Sequence, residues 1–251
     1  MEKQIIGVDL FSGAGGLSLG AEMAGITVKY AIEIDSFAAE TYKVNHPLTS
    51  IIHADIRKIT GFPYNSFRNQ LILFGGAPCQ GFSSSNRRTN TRNNPDNWLY
   101  KEFIRMVQIL DPQWVVFENV TGLLEMESGA FFSSILTDFQ HAGYTCSYSI
   151  LNASDFGVPQ RRSRLFLIGS KNGVQIDLGG AQPMPQVTVR DAFCDLPILE
   201  NGANTDCLPY SCEPDNDYAK LMRNGLTQCS GHLVSKNAAY ILKRYTHIQQ
   251  G

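Results

Sequence analysis

The chain has 251 residues, of which 43% are hydrophobic, 18% charged and 10% aromatic, enough apolar content for a sizeable core and too much for a disordered chain. No apolar run approaches the roughly 20 residues needed to cross a bilayer, and residues 1–4 lead into a strand-like segment instead of a signal-peptide core, so a cytoplasmic location is expected. A net charge of −2 gives no global support for a nucleic-acid ligand, and six scattered cysteines lack the density of a disulfide scaffold and read as reduced thiols.

Residues 4–10 form a short apolar run that breaks into Ser12-Gly13-Ala14-Gly15-Gly16 before helical spacing resumes at Leu17, Leu19, Ala21 and Met23. This predicts a strand, a Gly-rich turn and a helix. A second strand over 28–34 carries Glu33 with Asp35 beyond it, a helix covers 37–45, and a third strand over 50–54 ends at Asp55. A fourth strand over 71–74 runs into Gly75-Gly76, and after a polar loop residues 99–110 have helical periodicity that stops at Asp111-Pro112. A fifth strand is expected over 114–117, a helix over 128–142, and strands over 144–151 and 165–169. Strands alternating with helices imply an α/β fold with a doubly wound, mainly parallel sheet. From about Gly173 the texture becomes loop-rich, with many Gly, Pro, Asn and Asp, so the chain divides into 1–172 and a loop-rich extension over 173–251.

In an open parallel sheet the ligand crevice lies beyond the carboxyl ends of the strands. The Gly-rich turn there is not a dinucleotide fingerprint, because Ser18 stands at the third glycine position of G-x-G-x-x-G, and no phosphate-cradling P-loop is present. Glu33 is suited to accept from both ribose hydroxyls and Asp55 from an adenine amino group. That combination suits a nucleoside without a pyrophosphate, and S-adenosylmethionine is such a molecule. Cys79 follows a strand end and Pro78, where a thiol would be exposed at the crevice, and no histidine motif accompanies it as in a cysteine protease. Two basic clusters stand out, Arg87, Arg88 and Arg92 in a polar stretch, and Arg161, Arg162 and Arg164 just after a proline.

Four blocks in order, Asp9-Leu10-Phe11-Ser12-Gly13-Ala14-Gly15-Gly16, Gly76-Ala77-Pro78-Cys79-Gln80-Gly81-Phe82-Ser83, Phe117-Glu118-Asn119-Val120 and Gln160-Arg161-Arg162-Ser163-Arg164-Leu165, resemble the signature blocks of the cytosine-5 DNA methyltransferase family. The resemblance extends over about residues 5–195 and implies a Rossmann-like, S-adenosylmethionine-dependent methyltransferase domain over 1–172. It implies that Cys79 is the covalent nucleophile at cytosine carbon 6, that Glu118 holds the ring and protonates N3, that Arg164 contacts the cytosine O2, and that Arg162 supports the site or a phosphate. For the cofactor it implies stacking by Phe11, backbone contacts at Gly13 and Gly15, and Glu33 at the ribose. Ile34 and Ile56 would flank the adenine, Asp55 would meet its amino group, and Leu99 would line the pocket. Asn119 would position the loop bearing Pro78 and Cys79. The target cytosine would flip out of double-stranded DNA, under a lid over 84–97. No metal is implied.

Two departures qualify the resemblance. The lid ends Asn94-Pro95-Asp96-Asn97 where the family usually has Asp-Pro-Arg-Asn, which removes one cation. Most of the target-recognition domain and a final helix of the cofactor domain are also absent from the 251 residues. The chain therefore resembles the alpha subunit of a split, two-chain modification methylase, with a second protein chain supplying the remainder; a cloned fragment or pseudogene product is the alternative history. The alternative functions are a tRNA cytosine-5 methyltransferase and a non-catalytic DNA-binding or scaffolding subunit. A structural zinc at Cys207, Cys212, Cys229 and His232 is a further, minor reading.

Overall fold

The computed structural model describes residues 4–62, 71–78, 98–180 and 182–248. Cys79 and the lid over 84–97, with Arg87, Arg88 and Arg92, lie outside the described residues. Seven strands form one sheet: β1 (Ile6–Leu10), β2 (Thr27–Glu33), β3 (Ser50–His53), β4 (Leu71–Gly75), β5 (Trp114–Val120), β6 (Thr145–Asn152) and β7 (Ser163–Ser170). Their order is β3-β2-β1-β4-β5-β7-β6. β1 to β5 run parallel, while β7 is antiparallel to both β5 and β6. This is the doubly wound, mainly parallel α/β fold read from the alternation of elements. The chain works outward from β1 through β2 to β3 and then returns to pair β4 with β1, so a topological switch point lies where β1 and β4 end side by side.

The helices α1 (Gly16–Met23), α2 (Ser36–Asn45), α3 (Leu99–Leu110) and α4 (Ala130–His141) belong to the same unit as the sheet. α3 buries Tyr100, Phe103, Ile104, Met106, Val107 and Leu110, a helical stripe that meets the sheet core. Phe103, Phe117 and Phe139 pack edge to face, with ring centroids 5.3 and 6.0 Å apart, an arrangement the ring quadrupoles favour.

Two strands exceed the sequence reading by more than one residue at an end. β5 continues to Val120 because antiparallel β7 pairs with it as far as Val120 opposite Arg164. Glu118 and Asn119 are therefore ladder residues, not residues beyond a strand that stops at Phe117. β7 likewise begins at Ser163, so Arg164 is fixed by strand geometry. Local apolar alternation misses both extensions because their cause is a cross-strand partner.

Contacts divide the chain into two compact units, residues 1–152 with 163–182, and residues 153–162 with 183–251. A single cut at residue 172 would leave 153–162 with the sheet. The second unit holds α5 (Val189–Phe193), α6 (Asp217–Arg223) and α7 (Ala239–Tyr245), and a short antiparallel pair, β8 (Leu208–Pro209) with β9 (Gln228–Cys229). Thr188 and Asp191 form a capping box at the start of α5, and Asn216 caps α6. Buried Asp195 lies 4.0 Å from Arg223, which also donates to the carbonyls of Cys212 and Leu226. Among the described residues no helix is long and apolar enough to cross a membrane.

Candidate functional site

Beyond the carboxyl ends of β1, β2, β3 and β4 lies a cavity of about 230 Å³ lined by Phe11, Ile32, Glu33, Ile34, Ala54, Asp55, Ile56, Arg57, Gly76, Pro78 and Leu99. The structure thus brings together Phe11, Glu33, Ile34, Asp55, Ile56 and Leu99, six positions singled out in the sequence as cofactor contacts. Much of the wall is apolar, and its charged groups are the carboxylates of Glu33 and Asp55 with the Arg57 guanidinium, which is engaged by Asp55; two carboxylates match a ribose diol and an amino-purine better than a diphosphate. S-adenosylmethionine fits that chemistry. Gly13 and Gly15 shape the adjoining turn and do not line the cavity.

Glu33 has a second duty that the sequence reading missed. Its Oε2 accepts from Gly13 N at 2.7 Å, and its Oε1 accepts from the backbone N–H groups of Ile34 and Asp35, each at 2.8 Å. The carboxylate therefore ties the Gly-rich turn to the end of β2, and Oε2, with one of these donors against two on Oε1, is the less committed oxygen. Asp55 caps the one-turn 3-10 helix Ile56–Lys58 by accepting from Arg57 N. The Arg57 guanidinium also donates to both Asp55 oxygens, at 3.0 and 2.7 Å, and holds the carboxyl below the usual carboxylate range.

The Gly-rich turn rests on a buried polar platform. Phe11 at its start adopts a left-handed φ of 59°, a conformation of about 1–2 kcal/mol that a non-glycine residue holds only when its surroundings fix it. Ser18 is fully buried in α1 and donates to Asp9 Oδ2 at 2.6 Å, while its hydroxyl lies 2.7 Å from that of Tyr42 on α2. The serine at the third glycine position is thus a hydrogen-bonding bridge between β1 and two helices. Gly15 has φ 98°, and a Cβ there would lie 2.2 Å from His46 Nε2, so only glycine fits between turn and platform. Burial pushes Asp9 up to about 7, with the Ser18 hydrogen bond opposing the shift and nearby Glu33 adding to it.

Across the switch point, Arg164 Nε lies 3.1 Å from Glu118 Oε1, both side chains about a quarter exposed. Strand register explains the pair, since Arg164 stands opposite Val120 and Glu118 is two residues along the same strand face. A Cβ on Gly76 would meet Glu118 Oε2 at 2.6 Å, so the absence of a side chain lets the carboxylate sit against the loop after β4. Buried Asn119 donates to Ala77 O at 3.1 Å and fastens that loop, just before Pro78, to β5. Arg162 is exposed and belongs to the second compact unit. Among Cys207, Cys212, Cys229 and His232, His232 Nε2 meets Cys229 Sγ at 3.0 Å, but Cys207 turns to Gln228 and Cys212 to Cys194 O. Among the described residues no group of three or more His, Cys, Asp or Glu side chains could hold a metal ion. Arg57 was legible only as the third residue of Asp55-Ile56-Arg57, a pattern with no spacing signal of its own.

The family model for C-5 cytosine-specific DNA methylases matches residues 5–223. The Type II methyltransferase M.DdeI of Desulfomicrobium norvegicum is 35% identical over 254 residues, covering 97% of this chain and 61% of that protein. M.AquIA of Picosynechococcus, also a Type II methyltransferase, is 37% identical over 227 residues, covering 78% of this chain and 90% of that protein. A crystal structure of a DNA modification methyltransferase encoded within an E. coli prophage superposes with a TM-score of 0.79 at 26% identity, covering 99% of this chain and 76% of that one. The chain spans about half to three-fifths of the length of several curated relatives it matches.

Proposed function

Because the chain belongs to the C-5 cytosine-specific DNA methylase family, we propose that it transfers a methyl group from S-adenosylmethionine to carbon 5 of cytosine in a specific DNA sequence. In this reading it is the catalytic subunit of a split restriction-modification methylase. The observation that carries the reading is the pairing of Glu118 with Arg164 beside the loop that Asn119 fastens at Ala77, two residues before Cys79 in the sequence, with the cavity reaching the same loop through Gly76 and Pro78. Residues 1–172 would act as the cofactor-binding and catalytic domain, and 173–251 would lead into target recognition.

Carbon 5 of cytosine is a poor nucleophile because the ring resists giving up aromatic electrons. Covalent catalysis removes that obstacle. The Cys79 thiolate adds to carbon 6, the sulfur–carbon bond forms, and the ring electrons move toward N3, where the Glu118 carboxyl delivers a proton. Arg164, already aligned on Glu118, would hold the carbonyl O2 and oppose rotation of the base. Phe11, Glu33, Ile34, Asp55, Ile56 and Leu99 would hold S-adenosylmethionine, which would supply the electrophilic methyl group to carbon 5 and leave as S-adenosylhomocysteine. Water then takes the carbon 5 proton, the electrons of that bond form the carbon 5–carbon 6 double bond, the sulfur–carbon bond breaks to return Cys79 as a thiolate, and N3 gives its proton back to Glu118. The base must leave the duplex for this chemistry, and Arg87, Arg88, Arg92, Arg161 and Arg162 are cations within or close in sequence to these blocks for phosphate contacts.

The test is transfer of labelled methyl to DNA and, in parallel, to tRNA, with and without the polypeptide encoded in the adjacent reading frame. Transfer is expected to DNA, weakly by the chain alone and efficiently with its partner. DNA containing 5-fluorocytosine should trap an adduct that Cys79→Ser abolishes. An adduct retained in Cys79→Ser would remove the cysteine from the mechanism, preference for tRNA would replace the substrate, and site-specific methylation by the isolated chain would overturn the split arrangement.

A further inference from the structure

Arg105 stands on α3 almost two turns beyond Leu99, the residue through which that helix lines the cavity. Its Nη1 donates to Ile59 O and its Nη2 to Ile56 O, each at 2.7 Å, across 46 and 49 residues of chain. Its Nε is held by Glu102 Oε2 at 2.7 Å, and its side chain is 32% exposed. Ile56 O also accepts from Ile59 N at 3.0 Å, so the carbonyl end of the turn Ile56–Lys58 is closed by one guanidinium. A single 3-10 turn has little stability of its own, whereas α3 is anchored in the core by Phe103, Met106 and Val107.

The opposite end of that turn is Asp55, and its first residue is Ile56. Both line the cavity. We propose that Arg105 is a positioning residue that docks the Asp55–Ile56 wall onto α3, and that it thereby sets the cavity's preference for a purine bearing a 6-amino group. The inference rests on the cofactor reading above. An ionised carboxylate only accepts hydrogen bonds; it pairs with an amino group and repels a 6-carbonyl. That discrimination depends on where the carboxylate stands, since a displacement of about 0.5 Å degrades a directed hydrogen bond. The planar fork of Arg105 spans two carbonyls at once, which a lysine ammonium cannot do from one position.

The experiment measures binding of S-adenosylhomocysteine and S-inosylhomocysteine to the full chain by calorimetry, with ligand-detected NMR for weak binding, in wild type, Arg105→Met and Arg105→Lys. Wild type should favour the adenosyl compound by about tenfold or more, the range in which an unpaired polar group is rejected. Arg105→Met should reduce the ratio to within about threefold, with an unchanged circular dichroism spectrum, and Arg105→Lys should restore part of it because it reaches one carbonyl. Equal weakening of both compounds, with the ratio preserved, would reduce Arg105 to a structural tie and overturn the inference. Should Arg105→Met fail to fold, the same criterion applies to Arg105→Lys. Absence of binding, or of any preference, in wild type would instead overturn the cofactor reading itself.

Discussion

In the sheet unit, Phe103, Phe117 and Phe139 are fully buried and interlocked, and the strand ends converge on one cavity. In the C-terminal unit Ala219 is the sole buried hydrophobic among the described residues, while Ile198 is 98% exposed and Leu221, Leu233 and Ile248 are each at least 66% exposed. That unit relies on polar ties: Arg223 beside buried Asp195, and Asn201 with Asn237, which exchange hydrogen bonds of 2.8 and 3.0 Å. Burial of apolar area supplies most folding free energy, so the first unit has the means to hold a preorganised site and the second does not. The contrast also separates chemistry from stability within the sheet unit, because Glu118 and Arg164 are part-exposed at its rim while the aromatic cluster lies beneath.

The largest effect should fall on chemistry and leave the fold alone. Glu118→Gln in the reconstituted enzyme keeps the side-chain shape but removes the transferable proton, and should lower the methyl-transfer rate by about 10²–10⁴-fold. Thermal unfolding should shift little, because a part-exposed ion pair contributes about 1 kcal/mol or less. A rate within tenfold of wild type would take Glu118 out of the proton chemistry. Next, Phe117→Ala should cost about 3–5 kcal/mol of stability in urea titrations, the transfer loss plus a cavity between Phe103 and Phe139. A loss under about 1 kcal/mol would show that the aromatic cluster is not what distinguishes the two units.

The same contrast explains what the sequence could disclose. Periodic apolar residues in α3 and alternating strands in the sheet unit are the imprint of a core, and they made the sheet legible. Gly13, Gly15, Glu33 and Asp55 were legible as candidates because strand ends and Gly-rich turns have local signatures. Less visible were interactions that pair distant residues. Ser18 looked like a failed glycine motif and is a bridge between Asp9 and Tyr42. Arg105 has no local signature in the sequence and grips two carbonyls almost fifty residues away. The strand extensions at Asn119, Val120 and Arg164 depended on register between β5 and β7. In the C-terminal unit, caps such as Asn216 and Thr188 specify short helices with too little periodicity to stand out from loop texture.

A smaller effect should come from the platform under the Gly-rich turn. Asp9 keeps its proton in the native protein up to about pH 7, whereas the unfolded chain releases it near 3.8. Over that interval the native state binds more protons, so the Asp9 contribution to stability is greatest at low pH, falls as pH rises and levels off above the native value. From pH 5 to pH 8 the wild type should lose about 2–3 kcal/mol relative to Asp9→Asn, which cannot titrate, at 1.36 kcal/mol for each unit of the interval crossed. Urea unfolding of both proteins at the two pH values measures the difference. Parallel pH profiles would mean that Asp9 is ionised beneath the turn, and the platform would then have to stabilise a buried charge.

The smallest effect tests the other side of the comparison. Ile198→Ser alters a side chain that is 98% exposed, and exposed substitutions of this kind change stability by within about 0.5 kcal/mol. The isolated chain should therefore unfold at the same urea concentration with or without the change. A loss above about 1 kcal/mol would reveal that Ile198 is packed in solution, and the C-terminal unit would have a core of its own. Repeating the titration with the second polypeptide proposed above separates intrinsic from acquired order. If the partner covers this surface, the substitution should weaken the complex while leaving the isolated chain unchanged, because the apolar area is removed from water only on association. Equal, near-zero effects in both states would exclude Ile198 from the contact and leave the polar ties of Arg223, Asn201 and Asn237 as what orders this unit.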